Sequence, residues 1–293
     1  MNAIRTENLT KFYGKSRGIE DVSLRVEEGD FFGFIGPNGA GKSTTIRTLV
    51  GLLVPTSGRA EIFGKDIKTN STEILADIGY LPGEPAFYHG MRVGELLEFS
   101  AKLRGRDCKA EAARLCERLE LDAKRKIGEL SLGNRKKVGI VCALQHMPRL
   151  CILDEPTSGL DPLMQREFYA ILCERNVQGA TIFLSTHVLS EVGRYCEKAA
   201  VIREGRILAS DTVANLGHTG TKRVRVRCEG ELPRLKNVRD LHREGDSLRF
   251  LYSGEPDTLV RALGGLHLSD LTISDPELDE VFAHYYAKEG ESK

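Results

Sequence analysis

The segment Gly36-Pro37-Asn38-Gly39-Ala40-Gly41-Lys42-Ser43 leaves few folds open, because it fits the phosphate-binding loop pattern G-x-x-x-x-G-K-[ST]. An apolar run at 31–35, typical of a buried strand, precedes the loop, and residues 44–53 after it are typical of a helix. Glycines in such a turn let backbone N–H groups face phosphates, and the following helix adds the positive end of its dipole. This context argues against a chance glycine-rich turn and predicts an α/β fold that binds a nucleotide.

Two side chains of this loop have chemistry suited to a triphosphate. Lys42 is expected to reach the β and γ phosphates as a point charge. The Ser43 hydroxyl is expected to bind the Mg²⁺ ion that accompanies the phosphates.

A pair of carboxylates ends a second apolar run. Residues 150–153 are typical of a buried strand and lead into Asp154 and Glu155. Ligands of α/β folds bind at the carboxyl ends of the strands, so Asp154 is predicted to hold Mg²⁺, directly or through water. Glu155 is predicted to be the general base that orients and polarises the attacking water. An acid pair favoured at a helix N-terminus is the weaker interpretation. Together with the loop, the pair indicates a nucleoside triphosphatase.

Charge and hydropathy exclude some classes of protein. The 293-residue chain has 42 Lys and Arg and 42 Asp and Glu, so no net charge favours nucleic-acid binding. No apolar run approaches the roughly 20 residues of a membrane helix, and the N-terminus lacks the apolar core of a signal peptide. We therefore expect the chain to stay in the cytoplasm. Its 7 cysteines are scattered without a C-x-x-C pair, which predicts free thiols rather than a metal site.

The order of strands and helices predicts two domains. Short strands surround the phosphate loop, residues of about 84–147 have helical spacing, and strand–helix alternation resumes at 150. Turn residues around 215–221 indicate a boundary. The expectation is an ATPase domain at 1–215 with a helical subdomain at about 84–147, followed by a small α+β domain at 222–293.

The run Leu130-Ser131-Leu132-Gly133-Asn134 resembles the LSGGQ signature of the ATP-binding subunits of ABC transporters. The motif order of residues 1 to about 215 is similar to that family throughout. Residues 156–161 resemble its D-loop, which includes Asp161, and 185–187 resemble the segment of its switch histidine, His187. Tyr13 resembles the aromatic residue that stacks on adenine.

The resemblance implies that two copies of the chain bind two ATP molecules between them, head to tail. Ser131, Gly133 and Asn134 would open a helix that faces the γ phosphate bound by the second copy. His187 would hold Glu155 and the attacking water. An ordinary capped helix at Ser131 and strand-end packing of Tyr13 are the alternatives, and capping is compatible with the trans role. The predicted ATP-binding residues are Tyr13, Gly36, Asn38, Gly39, Ala40, Gly41, Lys42, Ser43 and Thr44.

Two positions depart from the family pattern. Gly83 stands where members usually carry Gln, so no side chain there can ligate Mg²⁺ or reach a partner; Glu84 and a water are the substitutes considered. Leu132 replaces a signature glycine, which leaves the backbone there less free to approach a phosphate.

The C-terminal run 274–282 is similar to the tail of drug- and antibiotic-exporting ABC ATPases. An amphipathic terminal helix explains the same residues equally well.

The expected function is that of the ATP-hydrolysing subunit of an ABC transporter. It would form a homodimer or pair with a second ATPase subunit. The pair would bind a separate integral membrane permease at the cytoplasmic face of the membrane and drive its conformational change, with export as the favoured direction. ATP and Mg²⁺ are the expected cofactors, and no nucleic-acid partner is expected. A soluble ABC ATPase of translation or DNA repair is the alternative, and a non-catalytic nucleotide sensor requires a dispensable Glu155.

Overall fold

The computed structural model describes residues 1–217, 220–229 and 235–276, and the chain divides into two units between Asp211 and Thr212. Within the described ranges, no helix is long and apolar enough to cross a membrane. Each unit has its own hydrophobic core.

A six-stranded sheet forms the centre of the first unit. In sheet order its strands are β10 (Arg206–Thr212), β9 (Lys198–Arg203), β3 (Phe31–Ile35), β8 (Thr181–Thr186), β7 (Leu150–Asp154) and β6 (Ile78–Leu81). The pairs from β9 to β6 are parallel, and β3, β7 and β8 are buried along their whole length, which explains their continuous apolar runs. Asp154 pairs with Ser185 and Ile35 with Thr186, so three strands end side by side at one edge.

A separate antiparallel sheet holds the N-terminal strands. Its order is β2 (Ser16–Glu27), β1 (Asn2–Tyr13), β4 (Ser57–Ile62) and β5 (Lys65–Asp66). Apolar residues of both sheets share one core with α1 (Lys42–Leu49). The helix predicted over 44–53 ends at Leu49, because Gly51 adopts a left-handed φ of +76° soon after it.

Helices cover the sheet, and those within residues 84–147 begin only at residue 93. The helices are α2 (Ser71–Asp77), α3 (Val93–Leu103), α4 (Lys109–Arg118), a 3₁₀ turn (Ile127–Glu129), α5 (Leu132–Leu144), α6 (Pro162–Val177) and α7 (Leu189–Tyr195). Helix α5 lies close to the end of β6 and to the segment after it, since a Cβ at Gly139 would lie 2.8 Å from Leu81 Cδ1 and 3.3 Å from Pro85 Cβ. This contact brings α5 beside the edge where the strands end.

The second unit is a four-stranded antiparallel sheet with helices. Its elements are α8 (Val213–Gly217), β11 (Lys222–Glu229), β12 (Val238–Glu244), β13 (Ser247–Tyr252), α9 (Pro256–Leu263) and β14 (His267–Ser274), with sheet order β12-β13-β11-β14. Alternate residues of β11 and β13 pack on α9, as half-buried strands do. Most of the exporter-like run 274–282, and with it the alternative of a terminal amphipathic helix, lies outside the described residues.

Candidate functional site

The phosphate-binding loop joins the end of β3 to the first turn of α1. A side chain at Gly36 is excluded, because its Cβ would lie 2.3 Å from the carbonyl oxygen of Ile202. Gly41 is the N-cap of α1 with φ +109°, a conformation in which other residues are strained. Ala40 N–H donates to Pro37 O at 3.1 Å, and the carbonyl of Ala40 accepts from Gly205 N–H at 2.8 Å. The loop is thus fixed by contacts within the protein.

Glu155 contacts both Lys42 of the phosphate-binding loop and His187, the histidine that follows β8. The buried Lys42 Nζ donates to Gly36 O at 2.6 Å and lies 3.1 Å from Glu155 Oε1, an ion pair not aligned as a hydrogen bond. Glu155 Oε2 lies 2.7 Å from His187 Nδ1. An ionised carboxylate only accepts, so Nδ1 carries the proton in this bond. The arrangement holds the Glu155 carboxylate beside the phosphate loop, where a base for a water that attacks a bound phosphate has to lie.

Asp154 is the buried carboxylate at the end of β7. Its Oδ1 accepts a 2.6 Å hydrogen bond from Ser185 Oγ on β8. Its Oδ2 lies 3.7 Å from the point where a Cβ of Gly83 would stand. Among the residues described, no three His, Cys, Asp or Glu side chains are grouped to hold a metal by themselves. A buried carboxylate at a strand end is a hard oxygen donor of the kind that Mg²⁺ uses together with phosphates and waters.

Tyr13 lies where β1 ends, beside the start of α1. Its hydroxyl is 3.5 Å from Thr44 Oγ1, and a Cβ at Gly18 would meet its ring at 2.8 Å. The residue is 46% exposed, and the Lys11 ammonium lies 5.7 Å from the centroid of its ring. An exposed aromatic ring beside a phosphate loop is a candidate stacking surface for a base.

The signature residues and the D-loop begin two neighbouring helices. Ser131 is the N-cap of α5, and its Oγ accepts from the N–H of Asn134 at 3.3 Å, so the capping considered from the sequence is observed. Asp161 caps α6 by accepting from Leu163 and Met164, and these backbone hydrogen bonds, Met164's foremost, lower its pKa. Gly133 packs against the D-loop, since a Cβ there would lie 2.6 Å from the carbonyl oxygen of Gly159.

The predicted site residues thus fall into two groups. The structure brings together Lys42, Glu155 and His187, with Asp154 next in sequence. No hydrogen bond or ion pair in the described part of the chain links Ser131, Gly133 or Asn134 to the phosphate loop. Ser131 and Leu132 are exposed.

Two residues that contact the site were not predicted from the sequence. Ser185 holds Asp154, and its position at a strand end beside His187 was the available signal. Lys136 is buried behind Gly83. No sequence signal marks Lys136, because it stands in the basic run 135–137, which suggests a solvated surface.

The fold and this strand edge together define a P-loop nucleoside triphosphatase. Residues 19–158 match the family model described as ABC transporter. Over 295 residues the chain is 34% identical to the bacitracin transport ATP-binding protein BcrA of Bacillus licheniformis, with 95% of each chain covered. A solved ATP binding subunit of an ABC transporter is 33% identical, with a TM-score of 0.69 over 73% of this chain and 91% of that one. A dimeric bacterial ABC transporter cassette is 25% identical, with a TM-score of 0.66 over 72% of this chain and 98% of that one.

The chain belongs to the ABC transporter family, as one of its ATP-binding subunits. This membership confirms the predicted fold class and the predicted ATPase function in a transporter. It also confirms ATP as the nucleotide. The alternative of a soluble ATPase in translation or DNA repair is not favoured.

Proposed function

We propose that two copies of this chain close on two ATP molecules, hydrolyse them and reopen, and that this cycle drives a separate integral membrane permease. The contact of Glu155 with both Lys42 and His187 is the observation that supports hydrolysis most directly. ATP that binds the closed pair more tightly than the open chains would shift the population toward the closed state. Hydrolysis would then release the closed state.

Each proposed role follows from the chemistry of a side chain. Lys42 exchanges its partners Gly36 and Glu155 for the phosphates and neutralises their charge. Glu155, released from Lys42, accepts a proton from the attacking water. His187 donates from Nδ1 to Glu155, which holds that carboxylate in place. Tyr13 stacks on the adenine.

Mg²⁺ would be held by the Ser43 hydroxyl and the Asp154 carboxylate. Both are hard oxygen donors, and Ser185 orients the carboxylate from behind, as groups outside a metal's own ligand set usually do. Bound there, the ion would neutralise charge on the β and γ phosphates.

The signature residues act on the second chain in this proposal. The N-terminus of α5 has unpaired N–H groups and the positive end of a helix dipole, which favour an anion. Ser131 and the backbone of Gly133 and Asn134 would present these donors to the γ phosphate of the opposite copy. The exposure of Ser131 supports this role. Asp161 would lie at the same seam.

The permease and the direction of transport are inferred from the relatives. The relative from Bacillus licheniformis is named for bacitracin transport. We therefore propose export of a drug or antibiotic-like compound, with this chain bound to the permease at the cytoplasmic face. The two proposed domains are an ATPase domain at 1–215 and an accessory domain at 222–293, the second supporting the pair.

Substitution of the proposed base tests the cycle. In Glu155→Gln the amide keeps the shape but cannot take the proton, so kcat should fall by about 100-fold or more. ATP binding should persist, and the chains should accumulate as dimers in ATP, as measured by size-exclusion chromatography with light scattering.

The control is Glu98→Gln, the same change on an exposed residue of α3, which should turn over ATP normally. A Glu155→Gln enzyme with parental turnover would remove Glu155 as the base. A Glu155→Gln chain that stays monomeric in ATP would argue against the closed pair.

A further inference from the structure

Lys136 is a buried lysine in the second turn of the signature helix α5. Its side chain is 2% exposed, although it stands in the run Arg135-Lys136-Lys137 that begins near the exposed N-terminus of α5. Buried lysines are rare unless their charge has a partner. This burial therefore needs an explanation that a solvated basic face does not supply.

The ammonium of Lys136 is bonded to the segment that follows β6. Nζ donates to the carbonyl oxygen of Gly83 at 2.7 Å and to that of Pro82 at 3.3 Å. An ammonium has three N–H donors. No third partner is found among the described residues, so one donor remains.

The segment held by Lys136 lies directly beside the proposed metal carboxylate. Because β6 pairs in parallel with β7, Leu81 lies opposite Leu153, and Gly83 comes next to Asp154. A Cβ on Gly83 would stand 3.7 Å from both the carbonyl oxygen and the Oδ2 of Asp154. Lys136 therefore binds the backbone of Gly83, which lies next to Asp154, the proposed Mg²⁺ ligand. Gly83 itself contributes no side chain to the site.

The carboxylates that interact electrostatically with Lys136 lie at or next to the reaction site. Burial lowers its pKa to about 8, and the carboxylates of Asp154, Glu155 and Glu84 oppose that change. The cation is within electrostatic range of the proposed metal ligand and of the proposed base, yet it hydrogen-bonds to carbonyl oxygens.

We propose that Lys136 is a positioning residue for ATP hydrolysis, which ties the 82–83 backbone beside Asp154 to the helix that completes the partner's site. This inference rests on the proposed function. The tether fixes how closely the 82–83 carbonyls approach Asp154. The positive charge weakens the negative potential at Asp154 and so sets how much Mg²⁺ the site needs.

Two substitutions separate the tether from the charge. Lys136→Met removes both the charge and the donors, and Lys136→Gln removes the charge but keeps an N–H₂ donor. The exposed Lys102→Met on α3 is the matched control. For each variant, kcat and KM for ATP are measured, with the Mg²⁺ concentration that half-saturates binding of a fluorescent ATP analogue. Thermal unfolding checks the fold.

The expected result has two parts. Without the cation, the half-saturating Mg²⁺ concentration should fall by about threefold or more in both Lys136 variants, because the site becomes more negative. Because a displaced backbone misplaces the reacting groups, kcat should fall by about tenfold or more in Lys136→Met. The loss should be smaller in Lys136→Gln, with KM for ATP little changed in both. Lys102→Met should match the parent.

Lys136 is only a packing residue if a folded variant binds Mg²⁺ and hydrolyses ATP as the parent does, or loses kcat with no change in Mg²⁺ binding. If Lys136→Met does not fold, Lys136→Gln carries the same test. Failure of the proposed function gives a different pattern, in which the parent is inactive or Glu155→Gln retains full turnover.

Discussion

The carboxylate of Glu155 contacts Lys42 through one oxygen and His187 through the other. These three residues come from α1 and from the ends of β7 and β8, so their meeting depends on the parallel order of the strands. Glu155 itself has a φ of +46°, a conformation that non-glycine residues seldom adopt.

Gly83 gives a prediction at the scale of one side chain. Its Cβ position is 3.7 Å from Asp154 Oδ2, an ordinary contact, so a Cβ can be added there without a clash. In Gly83→Gln the amide oxygen can join the hard oxygen donors near Asp154. We expect the half-saturating Mg²⁺ concentration for ATP hydrolysis to fall by roughly three- to tenfold.

Gly83→Ala is the control for that experiment, because it adds the Cβ without the amide. If the Gln and Ala variants both match the parent in rate and Mg²⁺ dependence, this position has no part in metal binding.

At the scale of elements, helix α5 connects the parts of the site. Its N-terminus carries Ser131, its second turn carries Lys136, and Gly139 packs against Leu81. His146, just beyond its C-terminal cap, bonds through Nε2 to the carbonyl oxygen of Ile78 at 3.1 Å. The buried Nδ1 of His146 has no partner among the described residues. A movement of α5 would therefore alter its contacts with both ends of β6, at Ile78 and at Leu81.

The lowered pKa of His146 leads to a prediction of how the stability of the first unit depends on pH. Burial, and then the charge of Arg104, lower its pKa from 6.5 to about 4, so the folded protein keeps it neutral. In the unfolded chain His146 binds a proton as the pH falls below 6.5, whereas in the folded chain it does so only near pH 4. Stability should thus fall as the pH drops through this window, by about 2–3 kcal/mol for this group.

Urea unfolding of the parent and of His146→Gln at pH 7 and pH 4.5 measures this effect. Gln can still donate to Ile78, and it does not titrate. The exposed His89→Gln controls for loss of a histidine. An equal loss of stability in His146→Gln and the parent between the two pH values would contradict the assignment.

At the scale of the whole molecule, the proposed pair has two sites, each built from both chains. A trans arrangement can be tested with mixed dimers that carry Lys42→Ala and Ser131→Asp. Asp caps a helix as well as Ser does, so the second change preserves the start of α5. It places a negative charge where a phosphate is proposed to bind, which should repel it.

Activity should depend on how the two changes are distributed. If Lys42→Ala is on one chain and Ser131→Asp on the other, both defects fall in one site and the second site stays intact. If one chain carries both changes and its partner none, each site has one defect. We expect ATPase activity in the first mixture and almost none in the second, measured on purified heterodimers with distinct tags. The reverse order would show that the signature acts within its own chain.

The sequence predicted some elements closely. The buried strands predicted at 31–35 and 150–153 are β3 and β7, because a short apolar run with clear boundaries leaves little choice of where the strand begins and ends. Helix α2 and strand β14 were not predicted. The residues of β14 are all exposed, and what defines it is its pairing with β11, which sequence periodicity does not report.

From its sequence alone, the chain is predicted to be a nucleoside triphosphatase with Lys42, Asp154 and Glu155 as candidate reacting residues, and the resemblance of its other motifs to the ABC family adds His187. Local patterns suffice for the first part, because a phosphate loop and strand-end carboxylates are defined by a few neighbouring residues. The tertiary structure decided that Ser185 holds Asp154 and that Lys136 is buried behind Gly83. Those contacts join residues 31 and 53 positions apart, and only the packing of α5 and the parallel strands brings them together.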